Sequence, residues 1–409
     1  MAVDVVADLR AVLLDGAVVD DRDVVDAYRR DRAETVVAGW PVALVRATST
    51  ADVQAVLRVA AAHGIPVVPR GAGSGLAGGA SATDGCIVLS LERMQRLDID
   101  PGGMYAVVGP GVLNSEVKTA AREHGLWYPP DPSSYTFCSI GGNLATNAGG
   151  LCCVKYGVTT DYVLAIEVVL ADGRVVRFGG RTIKDVAGYD LKRLFVGSEG
   201  TLGVITEATL RLRPLPPPAC TLVATFADVA AAGRTVSAIM GVLRPATLEL
   251  MDRASVNAVE NHRTMGLDTS AGATLIAQSD SGGAQSVAEI ATMEALATEH
   301  GATFVATTDD PDEGEMFLEA RRLSFAALFD LGTPLIEDVG VPLDRIAELV
   351  TGVEAIAAEH QTLIATVGHA GDGNFHPFLS FDGNDRAATQ RADEAFGAII
   401  ALALRLGGT

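Results

Sequence analysis

Basic side chains are scarce in this chain of 409 residues: 31 Lys+Arg stand against 51 Asp+Glu, a formal net charge of −20. Such a balance repels a phosphate backbone, and no Lys/Arg-rich run offsets it, which argues against nucleic-acid binding. No window approaches about 18 uninterrupted apolar residues, so no transmembrane segment is expected, while peripheral membrane association stays open. A basic leader is missing too: residues 1–30 carry Asp4, Asp8, Asp15, Asp20, Asp21, Asp23 and Asp26, and no signal peptide is read there. Cysteine is sparse and never forms C-x-x-C; Cys86, Cys138, Cys152, Cys153 and Cys220 support neither a disulfide framework nor a Cys-based zinc or iron–sulfur site. A reduced cytoplasm is the expected compartment.

What is present is core material. At 48% hydrophobic and 20% charged, the chain has the composition of a globular protein, and its length suggests two domains. Ser49-Thr50, an apolar set at Val53, Val56, Leu57 and Ala60, and Gly64 predict a capped amphipathic helix, followed by a short strand over 65–69. Strand-like runs at 86–91 and 105–109, a helix over 114–125, a hairpin over 162–178 and a strand over 203–213 make an α+β pattern. The prolines of 214–218 suit neither a helix interior nor a central strand, so the domain boundary is placed there, giving domains 1–213 and 214–409. Beyond it, two strand-helix-strand passes (221–251 and 273–307) predict a ferredoxin-like antiparallel sheet with helices on one face. A helix over 311–330, strands near 334–341, 362–367 and 375–381, and a helical stretch over 387–406 complete the second half.

Glycine marks the chemistry. Pro69-Arg-Gly-Ala-Gly-Ser-Gly-Leu-Ala-Gly-Gly79 follows a strand and formally contains G-x-G-x-x-G at Gly73, Gly75 and Gly78. A Rossmann fingerprint would have to open a helix, and 78–85 breaks any helix; no G-K-[ST] follows, which removes the P-loop. What remains is either an ordinary surface turn or a run of N–H groups converging on an anion with no Cβ in the way. A second segment, from Pro129-Pro-Asp-Pro-Ser-Ser134 to Cys138-Ser-Ile-Gly-Gly-Asn-Leu-Ala-Thr-Asn-Ala-Gly-Gly150, repeats the theme, with Asn143, Thr146 and Asn147 as donors for a flat or phosphorylated ligand. A third, Val196-Gly-Ser-Glu-Gly-Thr-Leu-Gly-Val-Ile205, runs into a strand. In the second half, His369-Ala-Gly-Asp-Gly-Asn-Phe-His376 sets two imidazoles around a Gly-Asp-Gly turn. Spacing alone reads equally as a partial divalent-metal site or as a pair of hydrogen-bonded histidines.

The strings PRGAGSGLAGGA, PPDPSS with CSIGGNLATNAGG, KYG, DLKRLFVGSEGTLGVITEATLRL and VGHAGDGNFHP resemble the FAD-linked oxidases of the vanillyl-alcohol oxidase superfamily. Within it they resemble the group of glycolate oxidase FAD subunits, D-lactate dehydrogenases and D-2-hydroxyglutarate dehydrogenases, from about residue 40 to the last. The resemblance implies a PCMH-type FAD-binding domain followed by a substrate (cap) domain, and FAD bound without a covalent bond at the first loop. Arg70, Gly71, Ala72, Gly73, Ser74, Gly75, Leu76 and Ala80 would hold the pyrophosphate. Pro130, Asp131, Pro132, Ser133, Ser134, Gly141, Gly142, Asn143, Thr146, Asn147, Gly149 and Gly150 would wrap the flavin and ribityl chain, with Gly157, Gly203, Val204 and Ile205 completing the set.

The same resemblance makes His369 and His376 ligands of a divalent metal such as Zn or Mn, and Arg321 the partner of a substrate carboxylate, with Arg322 on the solvated helix surface and Glu337 beside the metal. It implies oxidation of a D-2-hydroxy acid, of the glycolate or D-lactate type, to the 2-oxo acid by hydride transfer to FAD. The acceptor would be separate, an iron–sulfur subunit, quinone, cytochrome or oxygen, in the cytoplasm or at the inner face of the membrane. Members of the group continue past a helix like 387–406 into a Gly-Glu-His-Gly segment that supplies a further metal ligand and the base; the chain given ends at Leu406-Gly-Gly-Thr409, and the expectation is of a truncated substrate domain. Two other readings stay open: an FAD-binding protein without turnover, and a non-redox enzyme of the alkyl-dihydroxyacetone-phosphate synthase type.

Overall fold

A computed structural model describes residues 4–33 and 35–409. The chain divides into two compact units, one of 1–150 and 158–215, the other of 151–157 and 216–409. A single cut at 213/214 misses the return of Leu151–Gly157 to the second unit, which it enters through Leu151, buried against Val223, Met251 and Phe378.

In the first unit, Ser49 caps the helix Thr50–His63 through a reciprocal pair with Asp52, and Gly64, at φ +65°, ends it in the left-handed conformation that a Cβ disfavours. Val53, Val56, Leu57 and Ala60 pack this helix on Ala43, Val45, Ile87 and Leu89. The strands Ala43–Arg46 and Val67–Arg70 both run parallel to Ile87–Ser90, which lies between them, with Val18–Val19 at the edge. The glycine-rich loop therefore leaves the carboxyl end of a parallel strand, where open sheets of this kind receive ligands. A second, antiparallel sheet orders Leu97–Asp100, Tyr105–Val108, Val204–Arg211, Val163–Val169 and Val175–Gly179. The segment read as a second glycine loop contains a helix, Ile140–Thr146, capped by Ser139, whose hydroxyl accepts from Gly142 N–H at 3.2 Å. Helix propensity argues against Gly141 and Gly142 there; the Ser139 cap and a Cβ-free approach of Gly141 to Pro110 outweigh it.

The second unit is one antiparallel sheet in the order Ala302–Thr308, Cys220–Phe226, Ala273–Ser279, Thr247–Asp252, Leu363–His369, Asn374–Phe381, Thr333–Ile336. The first four have the ferredoxin-like order expected from the two strand-helix-strand passes. Helices cover both faces, however. Leu222, Ala224, Phe226, Leu248 and Leu250 meet Val229–Val242, Gly283–Glu299, Ile346–His360 and Arg386–Arg405, while Val223, Met251, Ile276 and Val367 meet Arg253–His262 and Pro311–Phe329. The central strands are apolar on both sides, so each face gains from cover, about 1.5–3 kcal/mol per large side chain buried.

Candidate functional sites

In the first unit, one cavity brings together the three glycine segments. Its walls include Arg70 to Leu76 and Ala80, Pro132 and Ser134, Gly141, Gly142, Asn143 and Thr146, and Gly203 to Ile205. Pro130, Asp131, Ser133, Asn147, Gly149 and Gly150 do not line it, and Gly157 lies in the second unit. Asp31 and Leu91, which lie outside the motifs, do, as do Ser198 and Glu199 of the third segment. Glycine is required where the loop folds closest: Gly73 sits at φ +68°, and a Cβ on it would land on the Arg70 guanidinium. A Cβ on Gly71 would strike Ser139 Oγ, the atom that ties Ala72 N–H at 3.3 Å to the cap of the neighbouring helix.

Arg70 is the charge in this cradle. It is buried, and its Nη1 has no hydrogen-bond partner; burial draws its pKa down while Asp31, Tyr28 and Glu92 oppose the shift. An orphaned buried guanidinium nitrogen beside a glycine-rich loop fits a phosphorylated ligand. The side chains expected to donate to that ligand also bond within the scaffold. Asn143 accepts from Asn114 at 2.9 Å and donates to Cys138 Sγ at 3.2 Å, Thr146 donates to Gly142 O at 3.1 Å, and Asn147 accepts from Thr160 N–H at 2.9 Å. The helix that contains or abuts these residues makes them structural.

The second unit holds a different kind of site. Val367 pairs with His376 and Met251 with Val367, so with side chains alternating along each strand, His369, His376 and Glu249 share one face of the sheet. The Gly371-Asp372-Gly373 turn, with Gly373 at φ +80°, closes the hairpin and leaves the imidazole centroids 5.2 Å apart at 84°. Arg321 reaches the same face from the helix Pro311–Phe329 and is fully buried, its Nε 2.8 Å from Glu249 Oε2. Its contact with Glu249 is an ion pair without hydrogen-bond alignment, and Nη1 and Nη2 have no hydrogen-bond partner either. Glu249 also takes His369 Nδ1 at 2.8 Å. A carboxylate only accepts, so Nδ1 carries the proton and Nε2 is the free ring atom.

Electrostatics separates the two histidines. Burial alone would lower the His369 pKa, but the charge and hydrogen bond of Glu249 raise it above the usual imidazole range. His376 is held well below that range by burial and by the charges of His369 and Arg321. Arg322 pairs with Glu315 instead of lying free on the helix surface. Of the acid pair, Asp338 approaches His376, 3.6 Å from Nδ1, whereas Glu337 is buried and pushed up to about 7 by that burial and by Asp338. The spacing of motifs missed Glu249. Its one signal was an acid inside the apolar run 246–251, which a buried strand tolerates only with a partner.

Residues 41–179 match the FAD binding domain family, and 215–409 match the FAD linked oxidases, C-terminal domain. The glycolate oxidase subunit GlcD of Bacillus subtilis is 42% identical over 372 residues, 90% of this chain and 79% of that protein. The D-lactate dehydrogenase of Archaeoglobus fulgidus is 36% identical over 390 residues, 94% of this chain and 85% of that one. The fold also resembles substrate-bound p-cresol methylhydroxylase at a TM-score of 0.83 and 18% identity, covering 99% of this chain and 88% of that one. No described helix is long and apolar enough to cross a membrane.

Proposed function

Because this chain belongs to the FAD-linked oxidase family, we propose that it oxidises a small D-2-hydroxy acid, of the glycolate or D-lactate type, to the 2-oxo acid. The observation that carries this reading is Arg321: fully buried, tethered through Nε to Glu249, with both Nη groups unspent beside two imidazoles. A planar carboxylate matches that open fork, and burial makes the match strong. The Glu249 tether fixes the guanidinium orientation before substrate arrives, so the acid's 2-hydroxyl is presented at a set distance from its carboxylate.

FAD, when bound in the first unit, supplies the sink for the two electrons that leave C2. Arg70 and the N–H groups of 73–76 suit its pyrophosphate. His369 and His376 suit a divalent ion such as Zn or Mn: one imidazole is kept neutral, and the other is oriented by a carboxylate, as metal-bound histidines commonly are. Among the described residues no group of three His, Cys, Asp or Glu side chains forms, so the two imidazoles would leave most positions to the substrate's oxygens. Such an ion would lower the pKa of the 2-hydroxyl. The electrons would pass to a separate acceptor subunit or a quinone, with the protein in the cytoplasm, at the inner membrane face where the acceptor is membrane-bound.

Anaerobic titration of the FAD-loaded protein with glycolate, D-lactate and L-lactate, with and without Zn or Mn, tests the reading. Bleaching of the flavin band by a D-acid, restored by an artificial acceptor, is expected. A band that persists with every acid and both metals would leave an FAD-binding protein without turnover.

A further inference from the structure

Residues 28–33 precede both family-matched stretches, yet they run along the glycine-rich loop from its start to its end. At the start, the Arg70 guanidinium lies 5.7 Å from the Tyr28 ring, and Tyr28 is itself held, donating to Glu92 at 3.0 Å and accepting from Arg46 at 3.0 Å. In the middle, Arg32 N–H donates to Gly75 O at 2.9 Å. At the end, the Asp31 carboxylate accepts from Ser81 Oγ at 3.0 Å and Ala80 N–H at 3.3 Å, and Ala82 N–H donates to Arg29 O at 2.8 Å.

Beyond the bond of Ala72 N–H to Ser139 Oγ, the loop has little else to hold it. It contains neither helix nor strand, and among the described residues the single backbone hydrogen bond inside 71–81 joins Ser81 N–H to Gly78 O. Closely spaced glycines make such a segment entropically expensive to order, and a ligand that must order it binds more weakly by that amount. Against this background Asp31 is unexpected: it lines the cavity that suits an anion, where a free carboxylate would repel the ligand. Its oxygens, however, are turned to the loop, Oδ1 to Ser81 Oγ and to Ala33 N–H (3.0 Å), Oδ2 to Ala80 N–H.

We propose that Asp31 is a positioning residue, the buckle of an N-terminal strap that holds the glycine-rich loop in its cofactor-binding shape before the cofactor arrives. The proposal rests on the reading of this cavity as the FAD site and adds to it a segment outside the family-matched residues. The strap acts through Ala80 and Ser81, never by touching the cofactor.

The test uses the full chain stripped of flavin. FAD affinity is measured by quenching of flavin fluorescence and amide hydrogen exchange over 71–82 is followed in the apo-protein, for wild type, Asp31→Ala, Asp31→Asn and the control Asp20→Ala, whose ion pair with Arg10 is exposed. Asp31→Ala should weaken FAD binding about tenfold or more, since it removes several part-buried hydrogen bonds, and should speed exchange over 75–82 while leaving apo-protein Tm close to wild type. Asp31→Asn retains the Oδ1 acceptor and should fall between; if Asp31→Ala does not fold, Asp31→Asn carries the same comparison at about threefold. Wild-type affinity in both variants, unchanged exchange in the loop, or an equal effect of Asp20→Ala would overturn the proposal. A wild-type chain that takes up no FAD would instead sink the cofactor reading itself.

Discussion

The cradle in the first unit is made of backbone and the site in the second of side chains, and the two are built in opposite ways. Around Arg70 the groups proposed to recognise the cofactor are backbone N–H donors of a glycine-rich loop, glycine clears the space, and Asn143 and Thr146 bond within the scaffold. Around Arg321 the groups proposed to recognise the substrate come from a helix and two strands far apart in sequence, joined through one buried carboxylate, Glu249. A backbone cradle tolerates substitutions that keep its glycines, whereas a side-chain site has no redundancy: Arg321 is its one fully buried guanidinium.

If that contrast is right, the two sites fail separately. The largest expected effect is that of Arg321→Ala: with the carboxylate partner gone, flavin reduction by a D-acid should slow by about 10²- to 10³-fold, while FAD content stays at wild type. Stopped-flow absorbance on FAD-loaded protein reads this, and a variant reduced at the wild-type rate would erase the distinction. Gly73→Ala is the mirror image. A left-handed alanine costs about 1–3 kcal/mol and its Cβ meets the guanidinium, so FAD affinity should fall about 10- to 100-fold with Zn or Mn binding intact, as calorimetric titration of each would report.

The third effect sharpens the comparison by pH. His369 must lose a proton from Nε2 to ligate, and Glu249 raises its pKa, so Zn or Mn affinity should climb about tenfold per pH unit until that raised pKa is passed. FAD affinity should stay nearly flat over the same range, and a flat metal profile would remove His369 from the ligand set. The smallest effect is that of Glu337→Gln. The folded carboxyl titrates at about 7 against an ordinary 4.5, so the native state holds a proton that the unfolded chain has released, and stability declines as pH rises between those values. Urea unfolding should therefore find the variant roughly 1–2 kcal/mol more stable than wild type at pH 8 and no different at pH 4; equal stability at pH 8 would mean that the carboxyl titrates normally.

How much of this was legible follows from the same contrast. The helix Thr50–His63, the ferredoxin-like strand order and the three glycine segments are local patterns of cap, period and missing Cβ, and they stand where the residues place them. The closeness of His369 and His376 was legible as an option, since a Gly-Asp-Gly turn can fold the segment back, but the spacing did not say what the pair does. The helix Ile140–Thr146 was not, because a cap and a close approach overrode the propensity of two glycines. Nor was helix cover on both sheet faces, since a strand buried on both sides is apolar throughout and periodicity then points to neither. Asn143, Thr146 and Asn147, which bond within the scaffold, looked like ligand groups because sequence shows a polar side chain without its partner.

By itself the sequence determined most of the elements and the family, since each rests on short strings whose physics is local: glycine where no Cβ fits, alternation where a face is buried. Only the tertiary structure decided that Glu249 joins Arg321 to His369 and that Asp31 reaches Ala80 and Ser81. Those contacts span long stretches of chain, and the free energy that selects them comes from burial and pairing of charges, which no neighbouring residue announces.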